Sequence, residues 1–334
     1  MIKNLQYLRA FAATNVAYLH VLVGSEMYDM SASSLSQLSA SRWGASGVDI
    51  FFVLSGFIMM YTQIHNPKKI HEFYFSRINR IVPIYWLISL FIIVLYLILP
   101  IVFKNFTLNL NDPLDLKRMI SSFFFMAQPF TGGKPIIVIG WSLEWEMLFY
   151  FIFGLSLFLK DIRKIIVLIF LFMLLIFTFS KTLLIFEFFL GVLIGYTFNK
   201  VKFSEINGLI ILIIGIILLL LSIKSGFDPQ KYLLVAGFKL DRFFIWGIPS
   251  AFIVLGAVYY RQISNSFLVY LGNASYSIYL VQVLTVPFFY KFITYFNIEM
   301  NSNLLTILCL FLSVSFGCFF YSLIEKNLKI KNKR

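Results

Sequence analysis

The feature that most constrains this chain is a succession of long apolar runs, each close to the length of a membrane crossing. A spanning helix needs about 20 mostly apolar residues. Ten segments meet or approach that length: 5–24, 46–64, 81–103, 141–159, 165–180, 182–199, 206–223, 243–260, 266–290 and 303–324. Composition agrees, with 60% hydrophobic and 13% charged residues in 334, against about 25% charged in soluble domains. The expected fold is an all-α polytopic membrane protein of about ten transmembrane helices. Two local expectations follow. The runs on either side of Lys181 predict a tight helical hairpin, and Pro287 predicts a break in the ninth helix.

A net charge of +13 raises the question of nucleic acid. Topology explains it better. With the amino terminus inside, cytoplasmic loops and tails hold 16 of the 28 basic residues, outer loops hold 11, and Arg9 lies in the first helix. That surplus fits the positive-inside rule. Both termini are therefore expected to be cytoplasmic, and no nucleic-acid partner is expected. The first apolar run carries Arg9 and His20 and has no small-residue cleavage site, so it reads as a span and not as a cleaved signal. Residues 1–325 read as one transmembrane domain. Residues 326–334 read as a basic tail lying on anionic headgroups. The outer segment 104–140, with "NDPLDLKRMISSFFFMAQPF", predicts an interfacial helix. Cys309 and Cys318 lie nine residues apart on one predicted helix and cannot bridge each other. No disulfide framework and no metal site are implied.

The polar residues inside these runs are the candidates for chemistry. Charged groups at a helix centre cost roughly 2.5–3.5 kcal/mol each. Arg9 and His20 are eleven residues apart. That spacing returns the helix to within about 20° of the same face and separates the pair by about 16 Å along the axis. Asp49 is placed at the outer end of the second helix, and Glu144 and Glu146 at the outer end of the fourth. An imidazole among such carboxylates makes a general base with an orienting partner. Glu144 and Glu146 point to different faces, so only one or two of the three carboxylates need take part. The blander reading stands beside this one: a snorkelling Arg9, a satisfied His20, and carboxylates at the interface that reach water, Glu144 above all.

Arg77 and Arg80 precede the third helix. Their i, i+3 spacing puts both guanidiniums on one face, where they suit forked contacts with phosphate or serve only as topology signals. Glu187 lies inside an apolar run and needs a cation, a hydrogen bond or a proton. Arg9 is one candidate cation. Phosphate binding inside and an acid–base cluster outside suit a reaction with a cytoplasmic donor and an acceptor beyond the membrane. Intramembrane His, Glu and Arg equally suit a proton-coupled transporter or a glycan flippase, though no inverted repeat or pair of broken helices is visible. A structural or sensory subunit is the third class.

Six stretches, in order along nearly the whole chain, resemble the membrane acyltransferase family 3. "NLQYLRAFAATNVAYLH" resembles its opening helix, with Arg9 and His20 at the Arg and His positions. "GVDIFFVLSGFIM" resembles its second-helix signature and carries Asp49, Ser55 and Gly56. "FYFSRINRIVPIYW" resembles its Arg-x-x-Arg segment. "WSLEWEMLFY" places Glu146 at the Glu position of a Trp-Ser-Leu-x-x-Glu segment. "FEFFLGVLIG" and "LGNASYSIYLVQ" match two later signatures. Gln282 stands where many members have His. The wording is closest to the exopolysaccharide-modifying branch.

The resemblance implies a multi-pass enzyme of the bacterial cytoplasmic membrane. It would move an acyl group, acetyl in many members, from cytoplasmic acyl-CoA to a hydroxyl of an extracytoplasmic or lipid-linked glycan, with no permanently bound cofactor. On that basis His20 is expected as general base and Asp49 or Glu146 as its orienting carboxylate. Arg77 and Arg80 would hold the CoA phosphates, with Arg9 and Glu187 along the donor path. The hydrolase-like carboxyl-terminal domain of some members is absent from this sequence, so the chemistry is expected in the membrane part.

Overall fold

The structure, a computed structural model, describes residues 2–28, 43–102, 115–222 and 242–331. In chain order its helices are α1 (Asn4–Met27), α2 (Ser46–His65), α3 (Ile70–Val102), α4 (Leu116–Phe123), α5 (Trp141–Ser156), α6 (Ile162–Ser180), α7 (Leu184–Phe198), α8 (Glu205–Leu221), α9 (Ile248–Tyr259), α10 (Ser266–Tyr295), α11 (Ser302–Phe320) and α12 (Lys326–Lys331). No extended strand occurs among the described residues. Where they are described, the predicted apolar runs are largely helical.

Among the described residues, six helices are long and apolar enough to cross a membrane: Trp43–His65, Ile70–Leu99, Val138–Ser156, Ile162–Ser180, Ser266–Tyr295 and Ser302–Leu328. Three more apolar helices, Leu184–Phe198, Glu205–Leu221 and Phe243–Tyr259, are shorter. Helix α1 has the length, but Asn4, Gln6, Arg9, Asn15 and His20 dilute its apolarity.

Two boundaries differ from expectation. Helix α3 starts at Ile70, not near residue 81, so Arg77 and Arg80 lie within it. Pro67 ends the preceding stretch, and the Glu72 carboxylate accepts from the Lys69 N–H at 3.2 Å, which caps a helix start. Helix α10 runs unbroken through Pro287. A proline removes one backbone donor, and packed neighbours inside a membrane protein offset that loss. The hairpin at Lys181 is present. Lys181 adopts a left-handed φ of 54° and donates its N–H to the Phe177 carbonyl, closing α6 three residues before α7 begins. Helix α4 falls in the expected outer segment, capped by Asp115, which accepts from Lys117 N and Arg118 N.

The chain forms two compact units. The first comprises Met1–Asn15, Ala40–Ser76 and Glu146–Asn273, and the second Val16–Ser39, Arg77–Trp145 and Ala274–Arg334. In the first unit α2 and α7 meet backbone to backbone. A Cβ on Gly56 would stand 1.9 Å from the Phe188 carbonyl oxygen, and one on Gly191 2.0 Å from that of Val53. Small residues permit such approach where lipid supplies no hydrophobic drive between helices. Phe188 stacks between Phe52 and Phe149, with ring centroids 4.3 and 4.6 Å away. Leu5, Ile50, Val53, Phe57, Ile194 and Val254 fill the core around this crossing.

The second unit is knit by hydroxyls. Tyr279 donates to the Ile139 carbonyl at 2.8 Å and its oxygen lies 2.7 Å from Ser142 Oγ. Ser277 donates to the buried Glu325 carboxylate. Val21, Val286, Tyr290 and Cys309 pack together there, and both cysteines are free thiols.

Candidate active site

In the first unit, Asp49 lies in the first turn of α2 and is fully buried. Its carboxylate is held by Arg242 in a fork: Nε donates to Oδ1 at 3.0 Å and Nη2 to Oδ2 at 2.8 Å. The same Nη2 reaches the Ala45 carbonyl at 3.3 Å. The Trp246 ring lies 5.1 Å from the guanidinium carbon, and its indole N–H donates to Ser222. Such two-point contacts between guanidinium and carboxylate are short, directional and charge-assisted.

Glu187, on α7, is also fully buried, with Asp49 and Arg242 as its electrostatic neighbours. Neither of its oxygens has a hydrogen-bond partner among the described residues. The cation nearest its chemistry is therefore Arg242, where the sequence offered Arg9. Arg242 directly precedes the apolar run 243–260, where the charge pattern puts it among the 11 outer-loop basic residues, and it is buried. The reason is pairing across 193 residues of chain, which no local pattern records.

A second polar cluster in the same unit involves Glu146. Its Oε1 accepts from Ser55 Oγ at 2.7 Å and from the Tyr150 hydroxyl at 2.5 Å, and those two hydroxyl oxygens are 2.9 Å apart. Ser55 and Tyr150 are buried, whereas Glu146 is partly exposed. Its Oε2 has no hydrogen-bond partner among the described residues. The geometry follows from local rules. Tyr150 sits four residues after Glu146 on α5, which puts both on one helical face. Gly56, next to Ser55, fixes the height of α2 against α7. Arg9, also of this unit, is half-buried.

In the second unit, His20 is partly exposed and makes no hydrogen bond among the described residues. Arg9 and His20 both ride on the unbroken helix α1. Arg77 and Arg80 are partly buried on one face of α3. Glu144 departs from the interfacial reading. It is fully buried, without reach to water, and its Oε2 accepts from the Gln128 N–H at 2.5 Å. The wide turn Ala127–Thr131 folds its backbone donors onto the start of α5 and covers the carboxylate. Gln282 is buried, and neither end of its amide has a partner among the described residues. Among those residues no three His, Cys, Asp or Glu side chains converge as metal ligands would.

Sequence reasoning missed Arg242 and Tyr150. The i, i+4 spacing from Glu146 was a usable signal for Tyr150. For Arg242 the only local hint is a cation immediately ahead of an apolar run.

The helices and these intramembrane clusters define an all-helical membrane protein with polar chemistry inside its apolar segments. The family model described as "Acyltransferase domain", of the acyltransferase 3 type, matches residues 2–323, and the chain belongs to that family. It is similar to the exopolysaccharide production protein ExoZ of Rhizobium meliloti (strain 1021), 41% identical over 118 residues, a stretch covering 35% of this chain and 35% of that protein. No solved structure matches it.

Proposed function

We propose that the protein is a membrane-embedded O-acyltransferase that moves an acyl group, acetyl in the simplest case, from cytoplasmic acyl-CoA to a hydroxyl of an extracytoplasmic glycan such as an exopolysaccharide. The observation that carries the reading is the Ser55–Glu146 hydrogen bond, 2.7 Å long. It joins the second-helix signature to the Trp-Ser-Leu-x-x-Glu signature, two stretches 91 residues apart. The family match over nearly the whole chain supports acyl transfer. The similarity to an exopolysaccharide production protein supports a glycan acceptor.

In this mechanism His20 takes the proton from the acceptor hydroxyl as its oxygen attacks the thioester carbonyl. The ester C–O bond forms, the C–S bond breaks, and the leaving thiolate takes the proton back from the imidazolium. Proton balance is closed within the step. Arg77 and Arg80 hold the CoA phosphates by forked contacts, and Arg9 lies along the acyl arm's path. Glu146 serves the acceptor side. Asp49, with both oxygens occupied by Arg242, holds the framework together with Glu187. The basic surplus of the cytoplasmic loops supports both termini lying inside a bacterial cytoplasmic membrane.

The test is transfer from labelled acetyl-CoA to de-esterified exopolysaccharide by purified protein in lipid. His20→Ala should lower turnover by about 10²–10⁴-fold, the usual worth of a general base, with insertion intact. A folded variant that keeps more than about a tenth of the turnover contradicts the assignment.

A further inference from the structure

The two hydroxyls on Glu146 do more than fill its coordination. A carboxylate that accepts no local donor swings about its last torsion, which is broad and roughly two-fold. Here Oε1 accepts hydrogen bonds from Ser55 and Tyr150 at 2.7 and 2.5 Å. Both donors are themselves fixed. Tyr150 is only 2% exposed, with Phe73 edge-on to its ring at 6.3 Å. Ser55 belongs to the part of α2 locked against α7, where a Cβ on the adjacent Gly56 would meet a backbone oxygen at 1.9 Å.

Oε2 of Glu146 is left with no partner among the described residues, on a side chain that is partly exposed. A carboxylate offers about four lone-pair positions, and the two local donors occupy one oxygen only. The other oxygen is suited to accept from a hydroxyl. It repels phosphate, so the CoA moiety of the donor is the wrong ligand for it. Asp49 shows the contrast, since Arg242 occupies both of its oxygens.

Resting on the proposed glycan acylation, we propose that Ser55 and Tyr150 are positioning residues that clamp Glu146 so that its Oε2 grips the acceptor sugar hydroxyl. Glu146 then touches substrate, while the two hydroxyls act only through it. Their loss should be felt by the acceptor and not by acyl-CoA.

The experiment uses the full-length purified protein in lipid, with acetyl-CoA as donor and de-esterified surface glycan of the producing cells as acceptor. Binding of that glycan is measured alongside transfer. Tyr150→Phe removes one charge-assisted hydrogen bond and keeps the ring. It should lower kcat/KM for the glycan about 10-fold or more and leave the KM for acetyl-CoA unchanged. Ser55→Ala should act in the same direction. In a Glu146→Gln background, each should add less than about a twofold further loss, because residues acting through one group are not additive.

Wild-type acceptor kinetics in both Tyr150→Phe and Ser55→Ala would overturn the clamp while leaving the acyltransferase reading intact. So would full additivity with Glu146→Gln, the mark of a merely structural role. A wild-type protein that neither binds nor acylates the glycan would overturn the functional reading and the clamp with it.

Discussion

The first unit contains two carboxylate clusters that begin on the same helix, and they are built in opposite ways. Asp49 and Glu187 are sealed: both are fully buried, with the Arg242 fork on one and no hydrogen-bond donor on the other. Glu146 is half-open, with one oxygen clamped and the other left over. The difference teaches that a charged residue in an apolar helix is not by itself a sign of chemistry. A carboxylate closed off from ligands, paired like Asp49 or walled in like Glu187, belongs to the framework. A charge that is fixed at one end and unoccupied at the other is prepared for a ligand.

The strongest way to break this comparison is to unseal the closed cluster. Arg242→Met leaves two buried carboxylates without a cation. Breaking a buried pair costs about 3–5 kcal/mol, so folded yield and thermal midpoint in detergent should fall sharply. Adding Asp49→Asn and Glu187→Gln to that variant should restore much of the loss, because no buried charge is then left alone. An Arg242→Met protein with wild-type thermal stability would show that the cluster is not part of the framework.

Glu144 sharpens the comparison at intermediate size. Glu144→Ala deprives the Gln128 N–H of its acceptor, and an orphaned buried donor costs about 1–3 kcal/mol. Thermal unfolding should register that loss. An unchanged midpoint would place the turn at Ala127–Thr131 outside the stability of the second unit.

The smallest effect is expected at Glu187. Glu187→Gln keeps the side-chain shape and leaves the Asp49–Arg242 fork in place, so stability should move by less than about 1 kcal/mol, the net scale of one hydrogen bond. A large destabilisation would mean that Glu187 holds Arg242 as firmly as Asp49 does.

The sequence made much of this legible, and what escaped it did so for definite reasons. Apolar runs announce helices, and even the left-handed stop at Lys181 lay where two runs adjoin. The start of α3 was hidden because hydropathy begins at residue 81, whereas backbone continuity begins at Ile70. Pro287 was read as a breaker because the local rule ignores the neighbours that make up for a lost donor. Glu146 stood out through its motif, and Tyr150 was within reach by helical spacing alone. Asp49 stood out as well, but its partner did not, since Arg242 meets it only through the fold. The burial of Glu144 depends on the path of the Ala127–Thr131 turn, which follows no periodicity.

The most direct measurement is the initial rate of acyl transfer to glycan by purified Glu146→Gln, compared with wild type in the same lipid and with thermal stability recorded beside it. The amide keeps the shape and an acceptor oxygen but loses the charge that makes the grip strong. The account predicts a thermal midpoint close to wild type, a fall of about 10-fold or more in kcat/KM for the glycan, and an unchanged KM for acyl-CoA. A folded Glu146→Gln protein that acylates the glycan at the wild-type rate would contradict it.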